Sequence, residues 1–600
     1  MARDFGAESS KGRRRPPAFL PPARAAAVFV NFCGLRYISR PGSQPLLAAA
    51  RLAPIVLSSS MPAEAYAFAP EERPAMPGSP YTPALSTPRR IACFCVALLT
   101  GPASTFGNAL VTTNVPSLAG EMGVFVAQAS LLPAIYVAMN ATANLTLVKA
   151  RSQFGIPLVL NGLLIAYVLA GLLQFVAPTY AAAVAIRGVD GLTAAVLITI
   201  ANLYLMQALP GKYRPLALVI GISLAQMGPP LARLVPVDLL ADHGWRGLHL
   251  IELGVGLTLL SMVNLVPLPP TEKTRSFERL DLVTIALLVP AALLISAVLA
   301  EGRVLWWADT PWLGWALAAA VPLAAAGFLL EHRRARPLLD FRWLRGPDLL
   351  RFILVAAVVR LALAEQTYGS VGLLTAGGLN NDQLRTLFAI VTLAMVGGTV
   401  AAVLTVSESR LPYQVVVACL AIALGAWMDS HANNLTRPPQ LYLSQALIGF
   451  GTTLFIGPTL VFGMKRVLLR GSDVLVSLLV PFSVSQNIGG LAGSALLGSL
   501  QAVSARLHAG SLSEHLSGAD PQVIARLQGG AASLGGVIGD PAVRSAQGAG
   551  LLGQALNREA TVLAFNDTFG LVVLIALAAA LFIGVSLVRR RWRTHAESKS

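Results

Sequence analysis

The stretch GLVVLIALAAALFIGVSLV, residues 570–588, carries no ionised side chain and runs straight into Arg589, Arg590 and Arg591. A helix needs roughly 20 mostly apolar residues to cover about 30 Å of hydrocarbon, and this stretch meets that length. Residues 157–176, 282–300 and 311–330 read the same way. Working outward from them, the pattern predicts fourteen spans, near residues 91–115, 125–148, 157–176, 181–206, 215–240, 247–268, 282–300, 311–330, 349–374, 384–405, 412–428, 440–463, 473–502 and 566–588. The expected class is an all-α, polytopic membrane protein, and its function concerns what crosses, or is sensed at, a bilayer.

Composition agrees. Charged residues make up 12% of the chain and apolar ones 55%, against about 25% charged in an ordinary soluble domain. The net charge of +16 does not point to nucleic acid, because the basic residues sit in short runs between apolar spans and no basic stripe interleaves with aromatics. Cys33, Cys93, Cys95 and Cys419 are too few and scattered for a disulfide framework, and neither a metal site nor a cofactor is expected.

Residues 1–90 hold twelve Lys or Arg against five acids, with many prolines and no run long enough to span, so they read as a disordered basic tail. The apolar patch at 25–32 after Arg13–Arg15 lacks the small-residue cleavage site of a signal peptide, and Met61 and Met76 offer later translation starts. If that tail is cytoplasmic, the inner loops carry sixteen Lys or Arg, among them Lys149, Arg151, Arg334 and Arg466, and the short outer loops carry only Arg246, Arg303, Arg385 and Arg437. That bias orients a polytopic protein with both termini inside. One outer connection, residues 503–565, is far longer than the rest, and the spacing over 511–530 predicts an amphipathic excursion on the outer surface.

Ionised groups inside spans are the default functional candidates. Arg187 and Asp190 stand three apart on one face of span four, beside Gly188 and Gly191. Span five reads Gly221-Ile-Ser-Leu-Ala-Gln-Met-Gly228-Pro229-Pro230-Leu-Ala-Arg233, and its adjacent prolines remove backbone donors and predict a bend. Span six contributes His249 and Glu252, and span nine Arg360, Glu365 and Tyr368. Burial in an apolar segment disfavours the ionised form of a carboxyl, the general condition for a reversible proton site, and Glu365 is the candidate for one. Asn140 and Asn144 make a polar strip beyond Tyr136 in span two, suited either to a polar substrate or to neighbouring helices. The chain has no Gly-x-x-x-x-Gly-Lys-Ser/Thr phosphate loop and no His-Glu-x-x-His, which argues against an ATP-driven pump and a metalloprotease.

Several motifs occur in a recognisable order: Arg187-Gly-Val-Asp190-Gly191-Leu-Thr-Ala194-Ala195, Gly221 to Pro229, Gly244-Trp245-Arg246, Leu280-Asp281-Leu282, Glu301-Gly302 with Trp306-Trp307, Pro337-Leu338-Leu339-Asp340, Asn487-Ile-Gly489-Gly490 and Phe565-Asn566-Asp567. Together they resemble the fourteen-span drug:proton antiporters of the major facilitator superfamily, the EmrB/QacA-type exporters, over essentially 91–593. The resemblance implies two six-helix halves, 91–268 and 349–588, with two extra helices in 269–348 between them and a basic cytoplasmic tail at 589–600.

In the family the span-four arginine is assigned to proton coupling, which the resemblance carries to Arg187; from the residues themselves, Asp190, Glu365 and Arg360 are expected to share that role. A substrate cavity at the interface of the halves is expected to be lined by Asn140, Asn144, Tyr136, Glu252 and Tyr368. Gating would fall to Gly221, Gly228, Pro229 and Pro230 together with Lys149, Arg151 and Gly155.

The sequence departs from the family pattern at Gly107, where span one commonly has an aspartate, at the acid-free loop Lys149-Ala-Arg151-Ser-Gln-Phe-Gly155, at Asp190 in place of glutamine, and at Ala232-Arg233. The expected function is proton-coupled export of small organic compounds by alternating access across a bacterial cytoplasmic membrane, with a periplasmic adaptor protein as a candidate partner. Transport of an anionic metabolite or siderophore, or a non-transporting sensor or scaffold, are the alternatives.

Overall fold

In hydrocarbon a backbone amide finds no water, so a spanning segment must close its hydrogen bonds within its own helix. The computed structural model describes Glu72 and residues 78–176, 179–241, 246–407, 409–471 and 474–597, and it is helical throughout, the one β contact among these being an isolated bridge between Pro80 and Thr271.

Among the described residues twelve helices are long and apolar enough to cross a membrane, or thirteen if one bent pair is counted as a span. They are span one (Thr87–Thr113), three (Ile156–Val176), four (Tyr180–Ala208), five (Pro215–Ala232), six (Arg246–Leu265), seven (Arg279–Glu301), eight (Pro311–Arg333), ten (Asn381–Thr405), eleven (Leu411–Asp429), twelve (Pro438–Arg470), thirteen (Leu475–Glu514) and fourteen (within Pro541–Arg589).

The remaining two expected spans are broken helices. Span two is Val126–Thr142 followed by Asn144–Phe154, and the short helix Val115–Met122 meets it at 119°. Span nine runs as Pro347–Ala362, a π-helical turn at Glu365–Gly369, and Ser370–Ala376. Such π turns inside helices concentrate at functional sites.

Span five is interrupted one turn earlier than its prolines suggest. Pro229 and Pro230 occupy the first turn of Gly228–Ala232, and the preceding helix has already ended at Ala225. The reason is chemical: Pro229 has no N–H to give the carbonyl of Ala225, and Thr105 Oγ1 of span one donates to that carbonyl instead, at 2.6 Å. Gly228 allows the approach, since a Cβ there would lie 2.7 Å from Pro102 O and 2.8 Å from Phe106 N. Gly221 likewise abuts the amide of Asn202 in span four.

Two large apolar cores organise the bundle, one around Leu164, Ile200 and Tyr204 and the other around Phe352, Phe455 and Leu478. They interlock: Val391 and Met395 of span ten join the first, and Val219 and Ile222 of span five join the second. Spans five, ten and twelve meet on one side of the interface, and spans two and thirteen on the other, where Ser483 Oγ donates to Asn140 O at 3.3 Å.

Spans seven and eight pack on each other, and span seven lies against spans two and thirteen. A buried charge cluster fixes one end of this pair. Lys149 Nζ lies 2.6 Å from Asp281, and Arg334 reaches Asp281 at 2.9 Å, Glu331 at 2.7 Å and Glu278 at 2.9 Å. At the other end Ser130 donates to Glu301, and Trp307 Nε1 donates to Ser499 Oγ at 2.8 Å.

Two expectations are corrected. Part of the tail predicted over 1–90 packs on the bundle: Tyr81 N donates to Pro270 O at 3.0 Å, Gln207 Nε2 to Tyr81 O at 2.8 Å and Arg214 Nη1 to Thr82 Oγ1 at 3.1 Å. Met61, Met76, the patch at 25–32 and Gly244-Trp245 lie outside the described residues. The long outer connection is a helical hairpin rather than an excursion lying on the surface. Span thirteen continues to Glu514, the last helix is one piece from Pro541 to Glu597, and Pro521–Ser533 packs on that helix with none of its own residues buried. Gly548 sets the spacing, because a Cβ there would come within 2.7 Å of Leu527 O.

Candidate functional site

Three polar clusters lie among the spans. In the first half Arg187, buried on span four, holds Glu252 of span six through both nitrogens, Nη1 to Oε1 at 3.1 Å and Nη2 to Oε2 at 2.7 Å. A two-point guanidinium–carboxylate contact is stronger and more directional than a single one. Asp190, one turn along span four, is the weaker partner at 3.3 Å. One arginine therefore serves two buried acids, and His249 Nδ1 stands 3.6 Å from Glu252 Oε2.

Asp190, His249 and Glu252 border a small pocket of about 240 Å³, its open mouth included, among spans three, four and six, lined also by Tyr167, Gln174 and Leu253. Glu252, assigned from sequence to a cavity between the halves, sits instead inside the first half. Gly107 explains how: a Cβ there would lie 2.9 Å from Glu252 Oε1, so the acid from span six fills space that a span-one side chain would need.

The second cluster runs along span thirteen at the interface of the halves. Ser483 faces Asn140 of span two, and Gln486 O accepts from Arg360 Nε of span nine at 2.8 Å. Gly489 and Gly490 leave room for the Arg360 side chain, whose Nη2 would be 2.9 Å from a Cβ on Gly490. Tyr136 packs with Ile488 and Leu491 here and donates its hydroxyl to Ser104 O at 2.5 Å. Arg360 is thus not joined to Glu365, although the two are five apart in sequence.

Glu365 belongs to a third cluster. It opens the π turn of span nine, and Gln445 Nε2 of span twelve donates both to Glu365 Oε1 at 3.0 Å and to Asp429 Oδ2 of span eleven at 2.7 Å. All three side chains are fully buried, and among the described residues no Lys, Arg or His forms an ion pair with either acid. Glu365 Oε2 and Asp429 Oδ1 have no hydrogen-bond partner. Two carboxyls thus face one amide, with no cation paired to either among the described residues.

Other predicted residues fall elsewhere. Tyr368 lies under Arg303, whose guanidinium is 4.8 Å from its ring, and against Gln501 at 3.4 Å, away from Arg187. Asn144 does not share Asn140's surroundings; it borders a separate cleft with Arg151. Lys149 is paired with Asp281, and Gly155 ends span two at φ +88°, a conformation that favours glycine.

Sequence reasoning missed Asp429 and Gln445. Asp429 stands one residue past the predicted end of span eleven, and Gln445 is a lone amide in an apolar run; the only available signal was that both are polar at span depth.

The chain matches the model of the Major Facilitator Superfamily over residues 97–494. A multidrug resistance protein B homolog of Mycobacterium tuberculosis (strain CDC 1551 / Oshkosh) is 25% identical over 380 residues, covering 60% of this chain and 67% of that protein. Among solved structures, tetrameric PepTSo2 in an I4 crystal overlays with a TM-score of 0.49 at 14% identity, covering 84% of this chain and 99% of its own. The proton:xylose symporter XylE bound to 6-bromo-6-deoxy-D-glucose overlays with a TM-score of 0.47 at 13% identity, covering 83% of this chain and 96% of its own.

Proposed function

This chain belongs to the Major Facilitator Superfamily and is a multi-pass membrane transporter, not an enzyme; from that premise we propose that it couples inward proton movement to the export of small organic compounds. The observation that carries the reading is the pair of buried acid clusters, one in each half: Arg187 with Asp190 and Glu252, and Glu365 with Asp429 across Gln445.

Coupling alternating access to protons needs a group whose affinity for a proton differs between the two facing states. When the Glu365–Asp429 site holds a proton, Gln445 bridges a pair carrying less charge and the buried cluster is stable. When it loses the proton, two negative groups share one donor, and the site favours rehydration by opening. In the first half a proton on Asp190 would leave Arg187 to Glu252 alone, so that Asp190 becomes the exchangeable partner. The substrate would lie against Asn140, Tyr136 and the Ser483–Gln486 strip between the clusters. The 25%-identical relative described as a multidrug resistance protein supports export of drugs or toxic metabolites.

Arg360 favours a second reading. It meets a backbone carbonyl and no carboxyl among the described residues, which would suit an anionic metabolite at the same interface. The basic loops support a cytoplasmic placement of both termini in a bacterial inner membrane, and the hairpin at 514–541 would then face the periplasm as a surface for an adaptor.

The test uses purified protein in liposomes with a pH-reporting dye inside and an imposed gradient. Addition of a transported lipophilic cation should release protons in step with its movement, and an organic anion should not. Transport that persists unchanged when the gradient is collapsed would reject proton coupling, and preferential transport of the anion would select the second reading.

A further inference from the structure

Arg151 is the unusual cation of this molecule. It ends span two on the basic face, two residues beyond Lys149, yet while Lys149 has Asp281, no carboxyl among the described residues pairs with Arg151, and its buried Nε has no hydrogen-bond acceptor. Arg151 is partly exposed, but its Nε is shut away from water with no acceptor, which is costly unless something satisfies it.

The side chain borders a cleft of about 380 Å³, its open mouth included, formed by the basic-face ends of spans two, three and four. Apart from Arg151, Asn144 and Thr199, every lining residue is aliphatic, including Leu147, Leu160 and Ile200. Phe154 and Leu158, close in sequence to the lining residues, are 46% and 65% exposed.

We propose that this cleft is a binding site for an anionic phospholipid, with the headgroup phosphate on Arg151 and an acyl chain along the aliphatic wall. The chemistry of the walls selects the class. A free inorganic anion would gain the guanidinium but nothing from the aliphatic residues, a phosphate-free lipid would leave the arginine bare, and a zwitterionic phospholipid brings its own cation to the phosphate; an amphiphile with an uncompensated anionic oxygen cluster satisfies both. A guanidinium matches phosphate oxygens through two parallel N–H donors. Basic pockets between spans at the face rich in Lys and Arg are where anionic headgroups collect. The site is separate from the acid clusters, so it does not depend on the transport reading.

The test titrates the full-length detergent-purified protein with short-chain phosphatidylglycerol, phosphatidylcholine of the same chains, oleate and inorganic phosphate, reading retained lipid by native mass spectrometry and the shift in unfolding temperature. Wild type should retain phosphatidylglycerol and be stabilised by it. Arg151→Gln should weaken that binding about tenfold, and because the arginine has no internal partner to strand, the variant should fold as well as wild type in phosphatidylcholine. Val159→Trp, which fills the cleft and keeps the charge, should abolish binding too, whereas Arg410→Gln, on a distant loop, should not change it.

Equal retention of phosphatidylglycerol by Arg151→Gln and wild type overturns the proposal. So does stabilisation by phosphatidylcholine or inorganic phosphate that matches phosphatidylglycerol, and so does a greater effect of oleate, which would assign the cleft to a carboxylate.

Discussion

Arg187 serves two acids unequally, and that inequality can be measured. Changing Arg187→Met strands Asp190 and Glu252 together in a site where all three groups are buried. Removing one partner of a buried ion pair costs about 3–5 kcal/mol, and the upper end applies here because two charges lose their counter-ion at once. Glu252→Gln removes the two-point contact at 3.1 and 2.7 Å but leaves Arg187 within 3.3 Å of Asp190. Its cost should be smaller, about 1–3 kcal/mol. Asp190→Asn removes only the longer contact and should be the mildest of the three.

A double-mutant cycle sharpens the order: coupling between Arg187 and Glu252 should reach about 2–3 kcal/mol and exceed that between Arg187 and Asp190. The readout is the folded fraction of detergent-solubilised protein across an SDS titration, with membrane insertion checked for every variant. A larger loss from Glu252→Gln than from Arg187→Met, or equal coupling to the two acids, would refute the assignment of Arg187 as the shared counter-ion held chiefly by Glu252.

Glu365→Gln keeps an acceptor for Gln445 but removes titration, so gradient-driven transport in liposomes should fall at least about tenfold, roughly 1.4 kcal/mol of coupling, without loss of folding; near-normal uphill transport would sink the proton role. Gln445→Leu strands both carboxyls and should destabilise the protein by about 1–3 kcal/mol, relieved when Asp429→Asn is added; an unrelieved loss in the double variant contradicts the bridging role. Gly228→Ala places a Cβ against span one and should cost about 1–3 kcal/mol by overpacking, measured as a lower unfolding temperature, with no change expected only if spans one and five are not in contact. Replacing residues 511–550 by a short flexible linker should spare insertion and liposome transport while removing whole-cell resistance, and resistance that survives the replacement rejects the adaptor surface.

What the sequence made legible was set by length and charge. A run such as 570–588 has one physical solution in a bilayer, so twelve of the spans could be placed within a few residues at most ends. Spans two and nine were located correctly but their breaks were not, because nothing in Ala143 or in Glu365-Gln-Thr-Tyr-Gly369 forbids a regular helix; the π turn is decided by packing around Glu365.

The pairing of Arg187 with Asp190 follows from helical spacing, whereas its stronger partner, Glu252, is 65 residues away and could be found only from the packing of spans four and six. The same holds for Asp429 and Gln445, which meet Glu365 from two other spans. Local periodicity also failed at the long outer connection, where it registered amphipathic helix but could not tell a helix lying on a surface from one packed on an extension of the next span.

That extension has a mechanical consequence. The last helix is unbroken over 57 residues, about 85 Å at 1.5 Å per residue, and the portion ahead of its apolar run, residues 541–565, is about 37 Å long. A continuous rod has no joint at which to lose motion. Through packing with spans eleven and thirteen the embedded end follows the second half of the bundle, so a tilt of about 10° there would swing the far tip by about 6 Å. The hairpin is therefore a pointer on a dial: a reorientation too small to notice among the spans becomes, at its tip, a displacement larger than an atom-scale contact can follow.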